Sequence, residues 1–267
     1  MTLFQLLIVA IVQGTTEFLP ISSSGHLILL PNVTGTQDQG VTIDVAVHVG
    51  TLFAVVVYFW RDVKTALGGT ARLVQGRIDT PGAFLALCLL IATIPAILFG
   101  LALKLSGLGE ALRSVAVIGW TTLIFGLLLW WADQTGATDR TADRWSLKHA
   151  LFMGLAQCLA LIPGTSRSGI TITAARKLGY GREGAATLSM LMSIPVILAS
   201  GALLSLDVIG QANWALAQQA GIAAVFAFIA ALAALVFMFK LLKSVSFTPY
   251  VIYRVILGVI LLIWAYS

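Results

Sequence analysis

The sequence predicts an all-α polytopic membrane protein with six transmembrane helices and two re-entrant helical hairpins, arranged as an inverted-topology repeat. Three observations lead to this fold class. Only 10% of the 267 residues are charged and 59% are hydrophobic, whereas a soluble domain carries about 25% charged residues. Six apolar runs are long enough to cross a bilayer, and two further apolar regions are interrupted by polar turns. A soluble enzyme, a coiled coil and a disordered chain are therefore excluded.

Six segments predict transmembrane helices because each is apolar for about 18 to 23 residues, with few interior charges. They cover residues 43–60, 82–104, 114–132, 185–206, 218–240 and 249–266. In hydrocarbon only a helix or a closed barrel satisfies the backbone, and these runs lack the alternation of a barrel strand. We therefore expect a single membrane domain over residues 1–267.

Two broken apolar regions predict hairpins that enter the membrane and return. Residues 1–33 are interrupted at 13–17 and again at 20–25, and residues 150–178 are interrupted at 163–169. Non-helical backbone at membrane depth is tolerated only where protein covers it or where it lines a wet cavity. The alternative is a pair of ordinary short loops between interfacial helices.

The two hairpins resemble each other, and three spans follow each of them. Gln13 and the turn at 20–25 align with Gln157 and the turn at 163–169, with one-residue offsets. Because three is an odd number, the second copy is inserted upside down, an arrangement that points to a binding site near the midplane. The expected halves are residues 1–132 and 150–267, joined by a cytoplasmic connector over 133–149.

The basic residues test this topology. With alternating spans and returning hairpins, one side receives 12 of the 16 Lys and Arg residues. The positive-inside rule makes that side cytoplasmic, so both termini are predicted to be periplasmic. The charge of +5, without a basic run, then needs no nucleic-acid partner. The twelve are Arg61, Lys64, Arg72, Arg77, Arg140, Arg144, Lys148, Arg176, Lys177, Arg182, Lys240 and Lys243; Lys104 and Arg113 lie opposite, and Arg167 and Arg254 lie within apolar regions.

The first hairpin carries a carboxylate, an imidazole and a row of hydroxyls. Gln13 and Glu17 lie four residues apart, on one face of a helix, and the serines at 22–24 precede His26. Ionisable groups inside a membrane are costly to bury and are therefore functional candidates. The alternative is that Ser22 only caps the next helix and that His26 is a hydrogen-bonded core residue.

The second hairpin supplies Ser166, Arg167, Ser168 and Thr171. The planar guanidinium of Arg167 suits bidentate contact with phosphate. A helix beginning near Ser168 would direct its free N–H groups and its positive dipole end to the same place. Two such hairpins meeting at their tips would attract a multiply charged anion. The alternative is that Arg167 pairs with Glu17 only to hold the hairpins together.

Four sequence runs carry a family resemblance. They are QGTTEFLP at 13–20, SSSGH at 22–26, PGTSRSGIT at 163–171 and VGTLFAVVVYFWR at 49–61. The chain resembles the bacitracin-resistance family of undecaprenyl-diphosphate phosphatases over nearly its whole length. The resemblance implies hydrolysis of undecaprenyl diphosphate to undecaprenyl phosphate and inorganic phosphate in the bacterial inner membrane. It also implies recycling of the lipid carrier for peptidoglycan synthesis, resistance to bacitracin, and dependence on a divalent metal, Mg²⁺ or Ca²⁺.

The chemistry of the residues, taken together with this resemblance, suggests roles for the two hairpins. Family members carry Glu at the position of Gln13, so a second carboxylate for the metal is missing here. Two routes stay open: Ser23 attacks as a nucleophile activated by His26, or His26 activates water and Ser23 binds phosphate. The expected catalytic residues are Glu17, Ser23, His26 and Arg167; the phosphate-binding residues are Ser22, Gly164, Ser166, Arg167, Ser168 and Thr171; the metal ligands are Glu17 and Gln13.

A transporter of a polyprenyl phosphate is the alternative from another class, because inverted repeats with broken segments are typical of carriers. A carrier needs Arg167 but has less use for Glu17, Ser23 and His26, which favours the hydrolase. The expected partners are a polyprenyl diphosphate and bilayer lipids, without nucleic acid, and a homodimer is left open. The active site is expected to open to the periplasm.

Overall fold

A computed structural model describes residues 1–35, 39–109, 111–208 and 214–267. Within these ranges the chain forms eleven α-helices, three short 3₁₀ turns and no strand, so the all-α prediction is confirmed. The helices are α1 (Leu3–Glu17), α2 (Ser23–Thr34), α3 (Val41–Tyr58), α4 (Trp60–Val74), α5 (Pro81–Ser106), α6 (Val115–Thr135), α7 (Leu147–Cys158), α8 (Arg167–Lys177), α9 (Arg182–Val208), α10 (Trp214–Leu242) and α11 (Thr248–Tyr266), and the 3₁₀ turns are Ala111–Arg113, Ala142–Arg144 and Leu159–Leu161.

Six helices, α3, α5, α6, α9, α10 and α11, are long and apolar enough to cross a membrane. They match the six predicted spans to within a few residues. In each spanning window only 28% to 39% of the residues are buried inside the protein. Since most of these apolar side chains are therefore left on the outside, the chain is a multi-pass membrane protein.

Helix α4 was not predicted. It follows α3 after Phe59 and places Asp62 in its first turn and Arg72 in its last turn, as the helix dipole favours. Val63 and Gly69 are buried, whereas Arg61 is exposed. A search for long apolar runs passes over such a helix because its apolar residues occupy a single face.

In each of the two broken regions, the start of the first helix lies near the end of the second. At the second one, the His149 ring near the start of α7 lies 2.7 Å from the hydroxyl of Tyr180, just beyond the end of α8. At the first one, Thr2 at the start of α1 and Thr34 at the end of α2 line the same cavity. This geometry is that of two helical hairpins.

Glycines allow α10 to approach both α3 and α1 closely. A Cβ on Gly50 of α3 would overlap the carbonyl oxygen of Ala224, and a Cβ on Gly14 of α1 would lie 2.6 Å from that of Ala227. Small residues at such crossings permit close packing of helices in membranes. The first hairpin is thereby held on the scaffold of spanning helices.

Candidate functional site

The two hairpin turns end in the same serine cap. Among the described residues, Ser22 and Ser166 alone combine a side chain with a positive φ, 75° and 71°. The hydroxyl oxygen of Ser22 accepts the N–H of Gly25 at 3.3 Å, and that of Ser166 accepts the N–H of Gly169 at 3.1 Å. Backbone strain of this kind costs on the order of 1–3 kcal/mol and concentrates at functional sites. The N-termini of α2 and α8 therefore share the same strained serine cap, and this repeated feature marks both of them as candidate parts of the site.

The carboxylate of Glu17, the last residue of α1, accepts hydrogen bonds from three side chains. The hydroxyl of Ser23 donates to Oε2 at 2.6 Å, and the amide of Gln13 donates to the same oxygen at 2.9 Å. From the other hairpin, Nη2 of Arg167 donates to Oε1 at 2.9 Å. The side chains of Arg167 and Glu17 are 13% and 8% exposed. The structure thus brings three of the predicted site residues, Gln13, Ser23 and Arg167, together around the carboxylate of a fourth, Glu17.

Ser23 and Arg167 occupy equivalent positions in the repeated turn. Each follows the strained serine cap and is the first residue of its helix, α2 or α8. The sequence alignment of the two turns, with its one-residue offsets, left this pairing open. The structure adds that both side chains reach Glu17, so the two hairpins meet through their equivalent residues.

Arg167 and Thr171 are also anchored to α9. Nη1 of Arg167 donates to the carbonyl of Ser189 at 3.2 Å, and the hydroxyls of Thr171 and Ser189 lie 2.7 Å apart. The guanidinium carbon of Arg167 lies 5.9 Å from the centre of the Phe18 ring, within reach of a cation–π interaction. Ser189 was missed in the sequence because a single serine in a long apolar helix has no distinctive spacing.

His26 is held by two partners of its own. Its Nδ1 lies 2.7 Å from the carbonyl oxygen of Ser22, and its Nε2 lies 2.5 Å from the hydroxyl of Tyr253. Because a carbonyl only accepts, Nδ1 carries the proton of the neutral ring and Nε2 accepts from Tyr253. The hydroxyl of Ser23 donates to Glu17 instead. The expected pair of Ser23 and His26 is thus replaced in this geometry by Ser23 and Glu17.

Gly164 and Ser168 join the second turn to its neighbours. A Cβ on Gly164, whose φ is +87°, would overlap the hydroxyl of Thr121 on α6, so this turn requires glycine. The buried hydroxyl of Ser168 donates to the carbonyl of Leu19 in the first turn at 2.9 Å. Of these two predicted phosphate-binding residues, Gly164 therefore packs the second turn against α6 and Ser168 bonds that turn to the first one, while Ser22 and Ser166 cap the helices.

The oxygen atoms of Glu17 and Gln13 are the candidate ligands for a divalent metal. No group of three His, Cys, Asp or Glu side chains with metal-site geometry occurs among the described residues. Gln13 is fully buried, and in the described part of the chain its Oε1 has no hydrogen-bond partner. Mg²⁺ is commonly bound through one or two carboxylates plus substrate phosphates. The donor set of Glu17 and Gln13 fits an ion shared with a phosphate substrate.

Sequence reasoning also missed Tyr253 and left Arg254 without a role. Both are in α11, where Tyr253 bonds to His26 and Arg254 donates to carbonyl groups of both hairpin turns. A charge within a spanning segment is a signal that could have singled out Arg254. No comparable signal distinguishes Tyr253.

Known proteins match the chain along its length. The family model described as Bacitracin resistance protein BacA matches residues 6–260. A protein from Dinoroseobacter shibae named undecaprenyl-diphosphatase is 70% identical over 267 residues, and one of the same name from Roseobacter denitrificans is 67% identical over 267 residues; both alignments cover 100% of each chain. A more distant undecaprenyl-diphosphatase, from Alcanivorax borkumensis, is 48% identical over 264 residues and covers 98% of each chain.

Proposed function

This chain belongs to the bacitracin resistance protein BacA family, and we propose that it hydrolyses undecaprenyl diphosphate at the cluster formed by Glu17, Ser23 and Arg167. It is a membrane phosphatase of the undecaprenyl-diphosphatase type. One observation carries the assignment of the site. The Glu17 carboxylate accepts a hydrogen bond from a serine hydroxyl of its own hairpin and one from a guanidinium of the other. This contact supports the proposal that the three groups act as base, nucleophile and phosphate-binding cation.

The diphosphate binds between the two hairpin tips. Arg167 presents a planar set of donors to the phosphate oxygens. The first N–H groups of α2 and α8 have no partner within their helices, and each dipole favours an anion at this end. Ser22 and Ser166 set the direction of these helix ends, and Thr171 with Ser189 holds the turn that carries Arg167.

Ser23 is the nucleophile in the mechanism that this geometry favours. Its hydroxyl proton passes to Glu17, 2.6 Å away, while its oxygen attacks the terminal phosphorus. The bond from that phosphorus to the bridging oxygen breaks, and undecaprenyl phosphate leaves with the electron pair. Water then hydrolyses the phosphoserine to inorganic phosphate. In the second route, which stays open, water attacks directly and Ser23 binds the phosphate.

His26 serves as a proton carrier beside this step. The Ser22 carbonyl fixes its tautomer, so Nε2 is the basic nitrogen. That nitrogen accepts from Tyr253, which connects the imidazole to a second hydroxyl. An imidazole has the reference pKa best suited to proton transfer near neutral pH.

Glu17 and Gln13 are the residues that would hold Mg²⁺ or Ca²⁺ together with the substrate. The unpaired Oε1 of Gln13 supports this assignment, since it offers a buried oxygen without another partner among the described residues. When bound, the ion would neutralise charge on the phosphate oxygens.

The pairing of the helices supports an inverted repeat and, with it, a site open to the periplasm. Helix α1 packs on α10 as α7 packs on α5, α3 packs on α10 as α9 packs on α5, and α6 pairs with α11. These pairings are those expected if a two-fold axis relates residues 1–132 to 150–267. The side that carries twelve basic residues is then cytoplasmic by the positive-inside rule, and the first hairpin enters from the opposite side.

Phosphate release from undecaprenyl diphosphate by the detergent-solubilised protein tests the function. We expect wild type to release phosphate and Glu17→Ala to be at least about 100-fold slower, because the base and the Arg167 partner are lost together. Glu183→Ala, at an exposed carboxylate in the first turn of α9, is the control and retains wild-type rates. A transporter of lipid phosphate would release none, since detergent leaves no compartments.

Chelation tests the metal. Treatment with EDTA should abolish phosphate release, and added Mg²⁺ or Ca²⁺ should restore it, because the ion balances the charge of the diphosphate. Full activity of chelator-treated, metal-free protein would contradict the assignment of Glu17 and Gln13 as ligands.

A further inference from the structure

Arg254 of α11 is fully buried and bonds to the turns of both hairpins. Its Nη1 donates to the carbonyl of Pro20 in the first turn at 3.1 Å. Its Nη2 donates to the carbonyls of Gly164 and Thr165 in the second turn, each at 3.0 Å. Its Nε donates to the carbonyl of Thr122 in α6 at 3.1 Å. One guanidinium therefore connects two turns that are about 145 residues apart in the sequence.

Within the described part of the chain, this guanidinium donates its hydrogen bonds only to backbone carbonyl groups. Burying a charge is costly unless hydrogen bonds compensate for the lost water. Here the carbonyl dipoles supply that compensation, and they can do so only if both turns face Arg254 at once. Because the C=O and N–H of a trans peptide point in opposite directions, the bond to Thr165 also turns the N–H of Ser166 away from Arg254.

We infer that Arg254 is a positioning residue for phosphate-ester hydrolysis: it fixes the two turns relative to each other so that Ser23 and Arg167 meet on Glu17. The inference rests on the proposed function. Arg254 acts through the backbone of residues 20, 164 and 165, each of which lies within three residues of Ser23 or Arg167. Displacing either turn would separate the hydroxyl or the guanidinium from the carboxylate, and misplacement by about 1 Å can cost about 100-fold in rate.

Arg176 provides a matched control within the same protein. It is 1% exposed and sits at the opposite end of α8 from Arg167. It donates to the carbonyls of Ala137, Gly136, Tyr180 and Asp133, and it pairs with the Asp133 carboxylate. Loss of either guanidinium leaves buried carbonyl groups unpaired, at about 1–3 kcal/mol each. Of the two arginines, Arg254 connects the hairpin turns and Arg176 does not.

The experiment compares Arg254→Lys and Arg254→Gln with Arg176→Lys in the purified full chain. Three quantities are measured: the thermal midpoint, kcat and KM for undecaprenyl diphosphate, and hydrogen exchange of residues 18–25 and 162–169. We expect all three variants to melt at lower temperature. The Arg254 variants should lose at least about tenfold in kcat with KM within about threefold, and both turns should exchange faster. Arg176→Lys should keep kcat within about twofold and leave exchange of both turns unchanged.

Several results would overturn the inference. The first is a wild-type kcat in Arg254→Lys, and the second is unchanged hydrogen exchange of the two turns in the Arg254 variants. The third is a loss of kcat in the Arg254 and Arg176 variants that is in the same proportion to their loss of thermal midpoint. Failure of both Arg254 variants to fold, with a folded Arg176→Lys, would also count against it, since a role in stability alone would then suffice. If wild type itself releases no phosphate, the proposed function fails, and hydrogen exchange alone decides whether Arg254 holds the turns.

Discussion

At the scale of single residues, the site is organised around one carboxylate shared between two hairpins. Glu17 bonds to Ser23 within its own hairpin and to Arg167 across the interface. The types and spacing of these residues predict a phosphate site, and all three were identified from the sequence. The pair of Glu17 and Arg167 was one of the alternatives from the sequence. The pair of Glu17 and Ser23 was not predicted, because the choice of Glu17 rather than His26 as the partner of Ser23 depends on the direction in which α2 leaves the turn.

Replacing Arg167 by lysine tests the need for a planar guanidinium. Lysine keeps the charge but cannot contact Glu17, the Ser189 carbonyl and phosphate oxygens together. We expect kcat/KM for undecaprenyl diphosphate to fall at least about 100-fold, measured by phosphate release. Arg72→Lys, at a surface pair with Asp79 that is 40% and 49% exposed, is the control and should change the rate less than twofold. Near-normal catalysis by Arg167→Lys would show that its role is wrongly assigned.

A covalent intermediate distinguishes the two routes. If Ser23 is the nucleophile, rapid quenching during turnover should trap phosphate on this residue, detectable by mass spectrometry, and Ser23→Ala should be inactive. Ser24→Ala, at the exposed neighbouring hydroxyl, should retain at least about half of the activity. Undiminished turnover by Ser23→Ala would exclude attack by this serine and leave the route through activated water.

At the scale of helices, the hairpins depend on close contacts with the spanning helices. Glycines and alanines let α10 approach α1 and α3, as Gly14 and Gly50 show. The apolar runs predicted every spanning helix, because hydropathy is a local property. They could not show which faces meet, and they missed α4 because an amphipathic helix has no continuous apolar run.

Gly50→Ala tests this packing. Its Cβ would overlap the carbonyl of Ala224 on α10, so we expect destabilisation of about 1–3 kcal/mol and a lower thermal midpoint in detergent. Gly221→Ala on α10 meets open space and should be neutral or stabilise by about 0.5–1 kcal/mol, as alanine favours helix over glycine. Equal midpoints for the two variants would contradict the close approach of α3 and α10.

At the scale of the whole molecule, a distribution of charge defines the expected orientation. The buried carboxylate of Asp133 also fastens four helix ends on the basic side, because it accepts from Arg176, from Arg182 and from the N–H of Phe247. These contacts join the end of α6 to the end of α8 and to the starts of α9 and α11. The cluster that we propose to be catalytic lies at the opposite end of α8, at Arg167.

Cysteine labelling tests the orientation. With Cys88 and Cys158 replaced, a membrane-impermeant maleimide applied from the periplasmic side should label Ser106→Cys in intact cells. It should label Gln75→Cys only after lysis, because residue 75 follows α4 on the basic side. Both positions are exposed, so accessibility within the fold does not separate them. The reverse pattern of labelling would place the site on the cytoplasmic face.

The sequence by itself determined the membrane class, the six spans, the two interrupted regions and the residue types of the site. These features follow from hydropathy, length and local spacing, which need no knowledge of distant contacts. Only the tertiary structure decided that Arg167 reaches Glu17 across 150 positions, that His26 pairs with Tyr253, and that Arg254 holds both turns. Those partners are chosen by which helix faces pack together, and helix packing in a membrane depends on shape complementarity between segments that are remote in the chain.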